Sequence, residues 1–263
     1  MNAMLRLLDV HKSFGGNGVL SGLNFHVMTG EIVGLLGPNG CGKSTVLNAI
    51  TGYCTIDRGL IEVGGQPVNG LSSHQIAEKG VRRTFQLPSM PTRMTVEEVV
   101  MAASTRSHGL FSALGRSRAT RSLEHATRER AHHLLAELLL TKVAHLPAAS
   151  ISGGQKKLLG IACAMMAQPG LLLLDEPMAG VHPNLRAELV TTLKKINGQG
   201  ITLVIIEHDM HFISETCNRC IVLDKGEIVA DCLPSELETH ASVVEAYLGK
   251  KPGGKYQVAG VIA

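Results

Sequence analysis

The octapeptide Gly37-Pro38-Asn39-Gly40-Cys41-Gly42-Lys43-Ser44 restricts this chain more than any other stretch. It follows a strand-like run, Glu31 to Leu36, and leads into a helix over Lys43 to Ile50. The pattern fits G-x-x-x-x-G-K-[ST] in the strand–loop–helix setting that the pattern requires. Glycines let backbone N–H groups curl around phosphate oxygens, and the helix N-terminus favours their charge. The Lys43 ammonium is placed to reach β- and γ-phosphates, and the Ser44 hydroxyl to ligate Mg²⁺.

Such a loop belongs to a parallel sheet covered by helices, and the rest of the chain has that rhythm. Leu5 to Val10, Leu23 to Val27, Gly59 to Val63 and Val81 to Phe85 read as further strands, with turn signals at Gly15-Gly16-Asn17-Gly18 and Thr29-Gly30. From Thr95 to His145 strand signals vanish. Thr95 followed by Glu97 and Glu98 starts one helix, with acids in its first turn. Leu134, Leu135, Leu138 and Leu139 form the apolar stripe of a longer one. This block reads as a helical insertion. Alternation resumes with a helix from about Ser152 to Ala167 and an apolar strand over Leu171 to Leu174, typical of a sheet buried on both faces. Pro183 begins a helix buried along Leu185, Leu189, Leu193 and Ile196. Ile201 to Ile206 is another buried strand, and Ile221 to Asp224 and Glu227 to Ala230 are two short ones joined at Lys225-Gly226.

Two acids, Asp175 and Glu176, end the Leu171 to Leu174 strand. Acids at the carboxyl end of a parallel strand face the ligand crevice of such sheets. Asp175 is placed to hold Mg²⁺, directly or through water, which leaves Glu176 to polarise an attacking water. Upstream, Ser152-Gly153-Gly154-Gln155 opens a helix with two glycines, each weakening it by roughly 1 kcal/mol relative to alanine. That is a second anion-binding terminus in a chain that already has a phosphate loop.

In that order, and with a helical insert between them, Gly37 to Ser44, Ser152 to Gln155 and Leu171 to Glu176 resemble the ATP-binding-cassette (ABC) ATPases. The resemblance covers residues 4–249, and residues 250–263 read as a flexible tail. It implies an α/β P-loop fold with a mostly parallel core sheet, an N-terminal antiparallel β subdomain and an α-helical subdomain inserted at about 95–165. It implies ATP and Mg²⁺ as ligands. Nucleotide contacts carry over to Phe14, to Gly37, Pro38, Asn39, Gly40, Cys41, Gly42, Lys43, Ser44 and Thr45, and to Ser152, Gly153, Gly154 and Gln155 of a second copy. Metal contacts carry over to Ser44, Gln86 and Asp175, and catalytic roles to Glu176, Gln86 and His208. Phe14 stands where the family stacks an aromatic on adenine; the alternative is a core ring beside a turn. For His208 the alternative is a buried core histidine. Cys41 is either a thiol activated at a helix N-terminus or a small residue at a variable motif position. His182 stands where the family carries an aspartate, just before Pro183.

Arg82-Arg83-Thr84-Phe85-Gln86, Ala179-Gly180-Val181-His182-Pro183, Glu207-His208-Asp209-Met210 and Ala246-Tyr247-Leu248-Gly249 are similar to the ATPase subunits of branched-chain amino acid importers. Urea or amide importers and lipopolysaccharide-export ATPases share part of this pattern. The implied partners are a second ATPase subunit, identical or not, transmembrane permease subunits and a periplasmic solute-binding protein. The implied place is the cytoplasmic face of the plasma membrane. A soluble ABC ATPase acting on nucleic acid is the rival. A net charge of only +3 and the single cassette argue against it. No secretory or membrane-spanning segment is expected, since Gln168-Pro169 interrupts the longest apolar run. Arg106, Arg116, Arg118, Arg121, Arg128 and Arg130 against Glu124 and Glu129 read as a solvated helical face or as a contact for anionic lipid. Six scattered cysteines, including Cys217 and Cys220 of one C-x-x-C, read as reduced thiols.

Overall fold

The computed structural model describes residues 2–84, 90–104, 118–182 and 185–248, with 118–121 and 248 described by backbone alone. Gln86, Pro183, Arg106, Arg116 and the 250–263 tail lie outside the described residues.

Two sheets organise the chain. The first is antiparallel. β1 (Ala3–Phe14) and β2 (Asn17–Met28) form a long hairpin, and β4 (Arg58–Val63) and β5 (Gln66–Pro67) extend it in the order β2-β1-β4-β5. The second has six strands: β3 (Ile32–Leu36), β6 (Val81–Arg83), β7 (Leu171–Asp175), β8 (Thr202–Ile206), β9 (Arg219–Asp224) and β10 (Glu227–Cys232). Their order is β10-β9-β3-β8-β7-β6, parallel throughout except for β10.

The central strands are continuous apolar runs because both faces are covered. Pleating sends alternate side chains to opposite cores. Leu172, Leu174, Leu203 and Ile205 enter one core, while Leu171, Leu173, Val204 and Ile206 enter the other. The first core packs against α3 (Val96–Ala102), α4 (Arg118–Glu137) and α5 (Gly153–Met166), which contact one another and form the inserted helical unit. The second holds α1 (Lys43–Ile50) and α2 (Ser73–Glu78) against the β1–β2 hairpin. The remaining helices are α6 (Arg186–Gly198), α7 (Met210–Thr216) and α8 (Ala241–Leu248).

Local chemistry sets the helix starts. Ser72, Thr95 and Ser152 each accept a backbone N–H bond, from Gln75, Glu98 and Gln155, whose side chains reach back to the cap N–H. One expected stripe residue is corrected. Leu134, Leu135 and Leu138 are buried, but Leu139 is exposed, with φ 59°. Here the chain leaves α4: Leu140 N–H bonds to Leu135 O at 2.7 Å and Leu139 N–H to Ala136 O at 3.3 Å. That left-handed cap turns Leu139 outward and delivers Leu140 to the core instead. The helix expected from Pro183 has Leu185 as its cap and begins at Arg186; Leu185 itself is half-buried.

Candidate nucleotide site

β3, β8 and β7 are adjacent, so their carboxyl ends deliver three segments to one place. β3 delivers the glycine loop, β7 delivers Asp175-Glu176, and β8 delivers Glu207-His208. Asn39, Gly40 and Lys43 to Thr45 face Asp175, Glu176 and His208 across a cavity of about 180 Å³. Of the expected residues, Asn39, Gly40, Gly42 to Thr45, Asp175, Glu176 and His208 are thus brought together.

Gly37 tolerates no side chain. Its φ is 141°, and a Cβ there would lie 2.1 Å from Leu223 O and 2.7 Å from the Cys41 sulfur. The loop is therefore pressed onto β9 from its first residue. The buried Lys43 ammonium folds over its own loop, donating to Gly37 O at 2.6 Å and Pro38 O at 2.9 Å. Cys41 is buried at 4% exposure, and burial pushes its thiol pKa up, with the Lys43 charge opposing. This overturns the expectation of an activated thiol and leaves a small core residue at a variable motif position.

Asp175 is paired with Arg83, Oδ2 to Nη2 at 2.9 Å, and Arg83 also donates to Asn48 Oδ1 at 2.6 Å. Glu176 has φ 48°, a left-handed conformation that costs a non-glycine residue about 1–3 kcal/mol. Its neighbours hold that conformation. Its N–H bonds to Ile206 O at 2.9 Å, and its carbonyl accepts from Lys157 Nζ at 2.5 Å. Its carboxylate Oε1 lies 3.3 Å from Nε2 of His208, whose side chain is 41% exposed, so His208 is not a core histidine.

Two buried charges that sequence reasoning passed over brace this turn. Lys157 comes from α5, the helix opened by Ser152, and is 8% exposed. Burial pulls its pKa down, against the attraction of Glu176, Glu207 and Asp175. Glu207 is 4% exposed and accepts from Met178 N–H at 2.6 Å and His208 N–H at 3.0 Å. Burial pushes its pKa up, and those backbone bonds oppose the shift. The signals were present: a lysine among buried Gly154, Leu158 and Ile161, and a carboxylate directly after a wholly buried strand.

Ser152 to Gln155 do not line the cavity. Ser152 Oγ accepts from Gln155 N–H at 3.2 Å, and Gln155 Oε1 accepts from Ser152 N–H at 2.9 Å. The two glycines differ. A Cβ on Gly154 would meet Gly180 O and Val181 Cα at 3.0 Å each, whereas one on Gly153 would meet nothing within 4 Å. Phe14 is 50% exposed, with the Lys12 ammonium 5.0 Å from its ring centre, which excludes the core reading; it does not line the cavity either. His182 is exposed and its carbonyl accepts from Leu185 N–H at 2.8 Å. Arg130 donates to Met165 O at 2.7 Å and so pins α4 to the end of α5, while Arg128 is exposed near Glu97. All six cysteines are free, and no described helix is long and apolar enough to cross a membrane.

Residues 20–179 match the ABC transporter family model. The chain is 36% identical over 250 residues to the high-affinity branched-chain amino acid transport ATP-binding protein BraF of Pseudomonas aeruginosa, covering 94% of this chain and 98% of that protein. It is 35% identical over 240 residues to LivG of Escherichia coli (strain K12), which bears the same description, covering 90% and 94%. Among solved structures, a nucleotide-free ATP-binding cassette from an ABC transporter superposes with TM-score 0.80 at 30% identity, over 95% of this chain and 100% of that one. A dimeric post-hydrolysis cassette bound to ADP and Pi, MJ0796, gives 0.75 at 25% identity, over 88% and 99%.

Proposed function

The chain belongs to the ABC transporter ATP-binding family, and on that premise we propose that it powers the import of branched-chain or related amino acids by hydrolysing ATP between two paired subunits. The observation that carries the reading is the meeting of Lys43, Ser44, Asp175, Glu176 and His208 around one cavity at the ends of three adjacent strands.

Loop N–H groups and the N-terminus of α1 receive the phosphates. Lys43 exchanges its two carbonyl partners for phosphate oxygens. Ser44 and Asp175 are the residues that fit Mg²⁺: a hydroxyl and a carboxylate face one cavity, a sparse set that suits an ion sharing its shell with phosphates and water. An ion held there would supply neutralisation of the phosphate charge. Glu176 orients and polarises the attacking water, and His208, with Nε2 3.3 Å from Glu176 Oε1, holds that carboxylate and is the residue assigned to the γ-phosphate. Gln86 is assigned the same metal and water. Ser152 to Gln155 of a second copy close the site, with Ser152 and Gly153 exposed at that surface and Phe14 as the exposed ring for adenine. Permease subunits turn closure and reopening into transport at the cytoplasmic face of the membrane, a periplasmic binding protein delivers the solute, and no nucleic acid takes part.

Glu176→Gln tests the chemistry. ATP binding persists while turnover falls on the order of 10²-fold or more, the scale of general-base catalysis. Wild-type turnover in that variant removes Glu176 from the mechanism. Co-purification with hydrophobic permease subunits, and uptake of labelled leucine by the assembled complex, test the transport assignment.

A further inference from the structure

The residue that opens the phosphate loop is held from an unexpected direction. Gly37 N–H donates to the Tyr247 hydroxyl at 2.8 Å. Tyr247 lies 210 positions along the chain, in the last turn of α8. Gly37 is buried, and a buried backbone N–H left without a partner is costly. The same residue is held on its other side, where its carbonyl accepts from Lys43.

We infer that Tyr247 is a positioning residue for the nucleotide: its hydroxyl anchors the first turn of the phosphate loop and so aims the loop's N–H groups. The inference rests on the ATP-binding reading above. When Lys43 turns to phosphate, its hold on Gly37 O relaxes, and the Tyr247 bond is what keeps Gly37 seated. Small displacements matter here, because Gly37 already lies against Leu223 O with no room for even a methyl group. The ring packs on the helical-side core, and burial pushes the phenol pKa up to about 12, so the hydroxyl stays neutral at any working pH. Val243, one turn earlier on α8, is 3% exposed and carries helix docking without touching the loop through a hydrogen bond.

The full chain is titrated with a fluorescent ATP analogue and Mg²⁺ as wild type, Tyr247→Phe and Val243→Ala, with melting temperatures measured alongside. Loss of one partner to a buried N–H weakens nucleotide affinity about tenfold in Tyr247→Phe, and kcat at saturation stays within about twofold. Val243→Ala melts at lower temperature with wild-type affinity. Unchanged affinity in Tyr247→Phe overturns the inference, as does an equal affinity loss in both variants, which would mark α8 as packing alone. A wild-type chain that does not bind the analogue overturns the ATP-binding reading and this inference together.

Discussion

Gly153 and Gly154 are neighbours in sequence with opposite environments, and exchanging each for alanine separates folding from function. Alanine in a helix gains roughly 0.5–1 kcal/mol over glycine. At Gly153 the added methyl meets nothing within 4 Å, so that gain survives and the isolated chain is stabilised. At Gly154 the methyl meets Gly180 O and Val181 Cα at 3.0 Å, both backbone atoms. Overpacking of this kind costs about 1–3 kcal/mol, so the net loss spans about 0–2.5 kcal/mol and centres on about 1 kcal/mol. At about 2–4 °C per kcal/mol, Gly154→Ala lowers the melting temperature by a few degrees while Gly153→Ala raises it slightly. Calorimetry of the isolated chains measures this, and ATPase assays of the same samples complete the comparison. Gly153→Ala, although more stable, loses activity because its methyl stands where the partner's nucleotide approaches. Equal melting temperatures would refute the packing argument, and a fully active Gly153→Ala would refute the interfacial one.

Lys157→Met keeps the volume of the side chain but frees the Glu176 carbonyl; turnover falls about tenfold with ATP affinity unchanged, read from single-turnover and binding data, because only the base is misaimed. Glu207 carries a pH signature. Its native pKa is raised above the ordinary 4.5, so its contribution to stability is complete below that value and is lost as pH rises through the native value. Urea unfolding at a series of pH values from about 4 upward shows this loss in wild type and not in Glu207→Gln; identical pH slopes would exclude Glu207 as their source.

The sheet and the phosphate loop were legible in the sequence for a physical reason. Strands buried on both faces must be continuous apolar runs, as Leu171 to Leu174 is, and a glycine loop between strand and helix has few other uses. What was hidden arises from tertiary contact. α2, α7 and α8 are helices of six to eight residues whose apolar positions gain meaning only when packed. Lys157 and Glu207 looked like ordinary charges until the fold placed them under Glu176. Cys41 was open between a thiol activated at a helix N-terminus and a small residue at a variable motif position, and burial decides for the second. The glycine pair was read as one functional unit, and the fold divides it into a packing glycine and an exposed one.

The central claim is that one subunit's phosphate loop works with the other subunit's Ser152 to Gln155. Ser152→Arg and Glu176→Gln chains, each inactive alone, test it when mixed. A mixed dimer contains one intact composite site: the loop and acids of the Ser152→Arg chain facing the serine of the Glu176→Gln chain. With half the dimers mixed and one site of two restored, ATPase activity returns to about a quarter of wild type. If the serine acted within its own chain, every site would remain broken, and a mixture no more active than its separate components would contradict the account.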